Sequence, residues 1–311
     1  MGPSLGAAKV DKILTQASLA YRPEGLISDI LLPSIKVKEK TGLFAKYGKE
    51  NLRTYEGSLF RAPGTRAMTM DYTVSQGNYV CREKSIEKLV PDEHMNNTDE
   101  PYNAKRDALW VAQDNIALNK EAALANALSD TSVMVNNTTL TGADQWTDPT
   151  STPIQDIEAG LSVITAGTGK VPNVIAMGFD VYKALKSHPQ IQNLTAGVNT
   201  GGVISESRFE TIIKEHFGVE EVLIGKAVIN TGKPGEPDSM GYAWGGNFWA
   251  FRRSSRPSLA SASFGYTIYD VPTTVDTYRE ESKLSDVVRV RESYAQTIMD
   301  TQLGYLIKDA V

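Results

Sequence analysis

Gly167-Thr168-Gly169-Lys170 is the segment whose residue types come nearest to a phosphate cradle. A phosphate-binding loop needs a glycine five residues before its Gly-Lys pair and a Ser or Thr after the lysine. Those places hold Ile164 and Val171, so the cradle and its Mg²⁺ ligand are both missing and the segment reads as a helix-ending turn. Three histidines occur, His94, His188 and His216, none with a partner at metal-ligand spacing, and neither H-E-x-x-H nor G-x-S-x-G is present. A catalytic triad can still be assembled from distant positions. His188 before Pro189, and His216 in the last turn of a helix, read most simply as structural; a protonated His216 would suit the helix dipole. Cys81 is the single cysteine, which rules out an intrachain disulfide. It equally rules out structural zinc sites built from four cysteines, or from two cysteines and two histidines. Cys81 falls in a strand pattern with no histidine or helix start beside it to lower its pKa, the setting of a buried, inert thiol. The carboxylate pairs Glu220-Glu221 and Glu280-Glu281 point to opposite sides of a strand, as ion-pair partners or solvated faces rather than an acid–base couple. Tyr242 to Arg253 sets aromatics beside Arg252 and Arg253, the best nucleic-acid signal in the chain. Strand alternation buries part of it, which favours packing. No catalytic, cofactor-binding or metal site emerges.

The elements that would position such residues come from a chain of 311 residues with 32 Lys+Arg against 37 Asp+Glu, a net charge of −5. Apolar residues at 41% and charged residues at 22% are ordinary for a globular protein, and the acidic balance excludes histone-like wrapping of nucleic acid. No apolar run approaches the ~20 residues that span a bilayer. Lys9, Asp11 and Lys12 stand where a secretory signal would carry its apolar stretch, so the chain reads as soluble and made in a reducing compartment.

Residues 43–90 read as strand. Met68, Met70, Tyr72 and Val74 alternate with Ala67, Thr69, Asp71 and Thr73. Ser75-Gln76-Gly77-Asn78 supplies turn chemistry, as does Arg61-Ala62-Pro63-Gly64-Thr65-Arg66. From Pro101 to Leu128 apolar residues recur at helical spacing with no interruption, a helix of about 42 Å that serves as a backbone to several elements. From 152 the pattern becomes α/β. Thr152-Pro153-Ile154-Gln155 reads as a capping box, Val174–Met177 as a short buried strand, and Ser205 as the cap of a helix ended by Gly218. Residues 195–203 read as a Gly-rich loop. The last fifty residues return to strand, with Val288 and Val290 alternating with Arg289 and Arg291. A two-stranded hairpin is marginal in water on its own. The first forty residues are too polar and broken to make a core. Both segments need a surface, and further copies of the chain are the economical source.

This order of parts resembles the major capsid proteins of tailed bacteriophages, whose architecture is the Hong Kong 97-type capsid fold, an α+β fold. Leu19-Ala20-Tyr21-Arg22, Leu31-Leu32-Pro33, Arg61 to Arg66, Val90-Pro91-Asp92-Glu93 and Gly304-Tyr305-Leu306-Ile307 look like segments of that family. The resemblance implies an N-terminal arm at 1–42 and an extended E-loop at 43–87. It implies a peripheral domain from 88–151 and 262–311 around the spine helix, and an axial α/β domain at 152–261. The implied function is self-assembly into pentamers and hexamers of an icosahedral phage head enclosing double-stranded DNA, without sequence-specific contacts, catalysis or cofactor. The implied partners are other copies of the chain, a separate scaffolding protein and a portal. A cement protein on the outside is left open and no membrane is involved. The product is a virion component made in the bacterial cytoplasm.

Two departures from the family prototype matter. The chain is too short for a large N-terminal scaffolding region, and its initial Met points to a separate scaffolding protein. No lysine occurs from Thr54 through Glu83, so lysine-based covalent crosslinks in the E-loop are not expected. Cohesion would then rest on non-covalent contacts. Tyr21, Arg22, Arg53, Arg61, Arg66, Glu280 and Glu281 are the candidate intersubunit residues, with Arg53, Arg61 and Arg66 as ion-pair donors to a neighbour's acidic residues. The alternatives are an encapsulin-like nanocompartment shell and, from another class, an α/β hydrolase or transferase with a polar pocket near Lys170 or the 195–203 loop.

Overall fold

The computed structural model describes residues 9–10, 25–47, 60–67, 69, 74–93, 103–195, 205–232, 235, 237–259 and 261–311. In chain order these form β1 (Lys9–Val10), α1 (Ser28–Leu31), β2 (Ser34–Lys36), β3 (Thr41–Tyr47), β4 (Val74–Val80), β5 (Arg82–Pro91) and a long helix, α2 (Ala104–Ser129). Then come β6 (Asn137–Thr139), α3 (Pro153–Thr168), β7 (Val174–Gly178), α4 (Phe179–Ser187), α5 (Pro189–Thr195) and α6 (Glu206–Phe217). The chain continues through β8 (Glu221–Gly225), β9 (Val228–Asn230), β10 (Met240–Tyr242), β11 (Phe248–Phe251), β12 (Gly265–Glu280), β13 (Ser285–Ile298) and β14 (Gly304–Lys308).

Helix α2 starts later than the sequence predicts, and Pro101, its expected first residue, lies outside the described residues. The start is set by Asn103, whose side-chain oxygen accepts the N–H groups of Lys105 and Arg106 at 3.1 Å each. Its inward stripe is Ala108, Leu109, Ala112 and Ile116, then Lys120, Glu121, Leu124, Ala125 and Leu128. The first half of the stripe packs on Val90, Val275, Val288 and Val290 of the sheet ordered β1-β12-β13-β5. The second half packs on Trp244, Trp249, Phe251 and Leu306, part of and beside the sheet ordered β6-β14-β11-β7-β8. One helix therefore carries two sheets, the backbone role its length implied.

In the second sheet β7 runs parallel to β8 and antiparallel to β11, and every one of its residues is buried. A strand covered on both faces loses the alternation of a half-exposed one, hence the continuous Val-Ile-Ala-Met run. Its far face is covered by Ile157 and Ile164 of α3, Val181 and Leu185 of α4, and Phe209 and Ile213 of α6. Gly169 ends α3 in the left-handed region at φ +66°, with its N–H on the Thr165 carbonyl at 2.9 Å, so the Gly-Lys segment is a helix-ending turn. Pro153 opens α3, but the capping box does not form: the Thr152 side chain makes no cap hydrogen bond. The free Ile154 N–H instead donates to Gln190 Oε1 at 3.3 Å, a tertiary partner that no local pattern announces. Pro189 opens α5, two residues after α4 ends at Ser187. Ser205 caps α6 through the Arg208 N–H, and Gly218 ends it at φ +66°.

Two boundaries differ from the sequence reading. Strand β14 pairs with β11, so Gly304–Lys308 joins the sheet of the α/β segment and not that of β12 and β13. The β3–β4 ladder runs from Thr41↔Val80 to Tyr47↔Val74, and β5 then leaves it to pair with β13. Ser75-Gln76-Gly77-Asn78 is not a turn but the middle of β4. Gly77 is there for close approach. A Cβ on it would sit 2.3 Å from the Phe44 ring, and one on Gly42 would sit 2.5 Å from Tyr79 Oη. Each glycine lies beneath the aromatic of the facing strand. Met68, Met70 and Tyr72, whose alternation suggested the strand, lie outside the described residues.

The segment leading into the hairpin has a surface within its own chain. Ile27, Leu31 and Leu32 are buried with Leu124, Leu128 and Trp244. Strand β2 pairs in parallel with β12, and β1 adds antiparallel to the other end of β12 at Thr277 and Asp276. Further copies are not needed to cover residues 25–36.

Candidate assembly surface

Of the candidate intersubunit residues, Tyr21, Arg22 and Arg53 lie outside the described residues. Arg61 and Arg66 flank a tight turn closed by the Thr65 N–H and hydroxyl on the Ala62 carbonyl, at 3.1 and 2.8 Å, with Gly64 at φ +82°. Both arginines are exposed, and among the described residues neither makes an ion pair. Phe60, next to them, is 92% exposed, and Leu43 on the outer face of β3 is 66% exposed. Burying a side chain of this size is worth about 1.5–3 kcal/mol, so the hairpin holds surface that favours a second protein.

Glu280 and Glu281 occupy the tip of the β12–β13 hairpin. Glu281 pairs with Arg279 of its own chain at 3.6 Å yet keeps 80% of its side chain exposed, and Glu280 accepts a hydrogen bond from Ser282. Leu284 beside them is exposed at φ +43°. No ion pair or hydrogen bond joins this acidic tip to Arg61 or Arg66 among the described residues.

The base of that tip holds an ion-pair network that the sequence reading does not single out. Arg279 donates both terminal nitrogens to the Asp92 carboxylate and reaches Asp286 at 3.3 Å, and Lys105 of α2 meets Asp286 at 2.6 Å. The Arg279 hydrogen bonds hold Asp92 below the usual carboxylate range, and those of Lys105 do the same for Asp286. Two further ion pairs gather Arg289 and Arg291 on the buried Asp276, at 3.0 and 2.9 Å. The signal for both was the alternation Val288-Arg289-Val290-Arg291, which puts two guanidinium groups on the face away from α2.

The residues weighed for chemistry have structural roles. Cys81 is buried with its thiol toward the Ile268 carbonyl at 3.4 Å, and burial pushes its pKa up. His188 accepts the Gln190 N–H on Nδ1 and faces the Asp148 carbonyl with Nε2, both at 3.2 Å, the pattern of an imidazole pinned in a loop. His216 lies 3.8 Å from Glu158, and His94 lies outside the described residues. Trp244, Phe248, Trp249 and Phe251 are buried, Trp244 and Trp249 edge to face at 5.2 Å, so this run is core and not a nucleic-acid platform. Arg253 is spent on Glu221 and on the Ile30 carbonyl. An open pocket of about 500 Å³ is lined by Trp146, Lys183, His188 and Val311. Lys170, one of the two places expected for the hydrolase alternative's pocket, does not line it, and the other, the 195–203 loop, lies outside the described residues but for Thr195. Among the described residues no group of three or more His, Cys, Asp and Glu is placed to hold a metal ion.

No protein-family model matches the chain. The major capsid protein of Burkholderia phage BcepMu is 27% identical over 308 residues, 96% of this chain and 95% of that protein. A crystal structure of a phage-related protein from Bordetella bronchiseptica RB50 superposes with a TM-score of 0.78 at 26% identity, covering 98% of both chains. This chain is therefore similar along nearly its whole length to phage major capsid proteins, and its fold is of the Hong Kong 97 type. The encapsulin of Synechococcus elongatus PCC 7942 shares the fold at 12% identity and a TM-score of 0.56, over 97% of this chain. At that distance the likeness is one of architecture only. Phe60, Leu43 and Leu284, with Arg61 and Arg66, are exposed side chains of the described chain.

Proposed function

We propose that this chain is the head subunit of a phage, assembling into pentamers and hexamers of an icosahedral shell that encloses double-stranded DNA. The observation that carries the reading is the likeness to phage capsid proteins along the whole chain, with 96% and 98% of it covered. In this reading the hairpin around residues 41–80 is the extended loop. The sheet of β12, β13 and β5 with the first half of α2 is the peripheral domain, and the segment 152–261 with β14 surrounds the symmetry axes. The Arg61–Arg66 turn with Phe60 docks on the Glu280–Glu281 tip with Leu284 of a neighbouring copy. Such a contact is heterologous, since it joins two different segments of the chain, and a heterologous contact whose rotation closes makes a ring. The arm, Tyr21, Arg22 and Arg53 add to the same interfaces, which together must bury more than ~1,000 Å². A scaffolding protein and a portal complete the head, and the packaged DNA is confined by an acidic subunit rather than gripped.

An encapsulin-like shell is the second reading, favoured only by the shared architecture. Nuclease treatment of purified particles separates the two. Protected double-stranded DNA supports the phage head, and particles filled with a protein cargo support the nanocompartment. Denaturing electrophoresis tests the non-covalent cohesion: a single band at the subunit mass is expected, and a ladder of covalent multimers contradicts it.

A further inference from the structure

The turn at residues 27–33 is held by side chains from three separate parts of the chain. Its helix α1 has no side-chain cap of its own. Glu121 supplies one from the spine helix: its carboxylate accepts the N–H groups of Ile27 and Ser28 at 2.8 Å each and the indole N–H of Trp244 at 2.7 Å. Lys120, the preceding residue, binds the carboxylate of Asp29 and the hydroxyl of Tyr269. Arg253, at the end of β11 and ion-paired to Glu221 of β8, donates to the Ile30 carbonyl at 2.6 Å. Thr267 of β12 donates its hydroxyl to the Leu32 carbonyl at 3.2 Å and its N–H to the Pro33 carbonyl at 3.1 Å.

The position of these groups matters as much as their number. Residues Ala108 to Ile116 of α2 pack on one sheet and Leu124 to Leu128 on the other, so Lys120 and Glu121 lie where the helix passes between the two. The turn touches the helix at that point, one sheet through Arg253 and the other through Thr267. Glu121 is fully buried and Lys120 only 4% exposed. Apolar residues of similar volume often stabilise such a site as well or better, so the directed bonds of Glu121 and the Lys120–Asp29 ion pair point to a part in fixing one arrangement.

We infer that Lys120 and Glu121 are positioning residues that lock the 27–33 turn as a brace between the two sheets, and that this brace fixes the angle at which they meet in the assembled subunit. The inference rests on the shell reading above. In a closed shell the angle within each subunit enters the curvature, so a loosened brace spreads the curvature and with it the shell diameter.

The test compares wild type with Glu121→Gln and Asp29→Asn by hydrogen exchange on the unassembled chain and by electron microscopy of the shells formed. Asp29→Asn alters an exposed side chain and keeps the inference testable if Glu121→Gln does not fold. The expected result is at least tenfold faster exchange at the Ile27 and Ser28 amides with β7 and β11 unchanged, and shells of several diameters where wild type gives one. Loosened amides with shells of one unchanged diameter overturn the inference, and so do amides that exchange as in wild type in whichever variant folds. A wild-type chain that forms no shells under any condition removes the shell reading instead, while the exchange data still report on the brace.

Discussion

At the level of single residues, side chains that look chemically capable turn out to be held by partners. Cys81 illustrates this: its raised pKa and burial predict that a thiol reagent labels it at least a hundredfold more slowly in the native chain than in denaturant. Equal rates would show that the β3–β4 hairpin does not stay seated on Ile268. The carboxylates of Asp92 and Asp286 give a pH dependence with a definite sign. Their pKa values are lowered in the folded chain, so the stabilisation is complete above the unfolded value of about 4 and is lost as pH falls through the folded values. Arg279→Met removes the lowering at Asp92 and part of that at Asp286. The variant's stability should therefore fall less steeply than that of wild type between about pH 4 and 2 in denaturant titrations. Parallel acid limbs would contradict the network. Glu121 and Lys120 were legible in principle, because positions 120 and 121 continue the stripe through Ile116 and Leu124. Charged residues at inward positions are the signal. Apolar spacing alone points equally to alanines such as Ala123, which is exposed, because a helix rich in Ala and Leu offers several faces of similar hydrophobicity.

At the level of elements, what local rules govern was readable and what tertiary contacts govern was not. The spine helix, the buried strand β7, the ends of α3 and α6 at Gly169 and Gly218, and the Val288–Arg291 alternation follow from periodicity and end signals. The turn expected at Ser75–Asn78 failed because glycine has two uses. Its permissive backbone suits turns, but its missing side chain also lets Phe44 lie across β4. Replacing Gly77 with Val should therefore displace the Phe44 ring and cost about 1–3 kcal/mol in unfolding free energy, the usual range for an overpacked contact. An unchanged stability would show that the hairpin is not packed as described. The return of β14 to the sheet of β7 and β11 was equally hidden, since strand partnering over more than fifty residues leaves no local trace. Its burial means that Trp249→Ala, on the strand beside it, should cost about 3–5 kcal/mol. A loss under about 1 kcal/mol in chemical denaturation would show that the Trp244–Trp249 pair is not the centre of that core.

At the level of the whole molecule, the order of parts was more informative than any motif. Arm, hairpin, spine helix, α/β segment and returning strands name a fold together that none of them names alone, and the relatives match over nearly the full chain. For the proposed interface the sequence supplied the charges, Arg61 and Arg66 with Glu280 and Glu281, but not the exposed Phe60 and Leu284 beside them, because exposure of a single apolar residue depends on the fold around it. The most direct measurement is negative-stain electron microscopy of the purified chain, with a Phe60→Asp, Arg61→Glu, Arg66→Glu variant beside it. Closed shells or free pentamers and hexamers from wild type, and a folded subunit that assembles at least tenfold less from the variant, are the predicted result. A compact monomer or dimer from wild type that never assembles, even with a phage scaffolding protein present, would contradict the assignment to a shell.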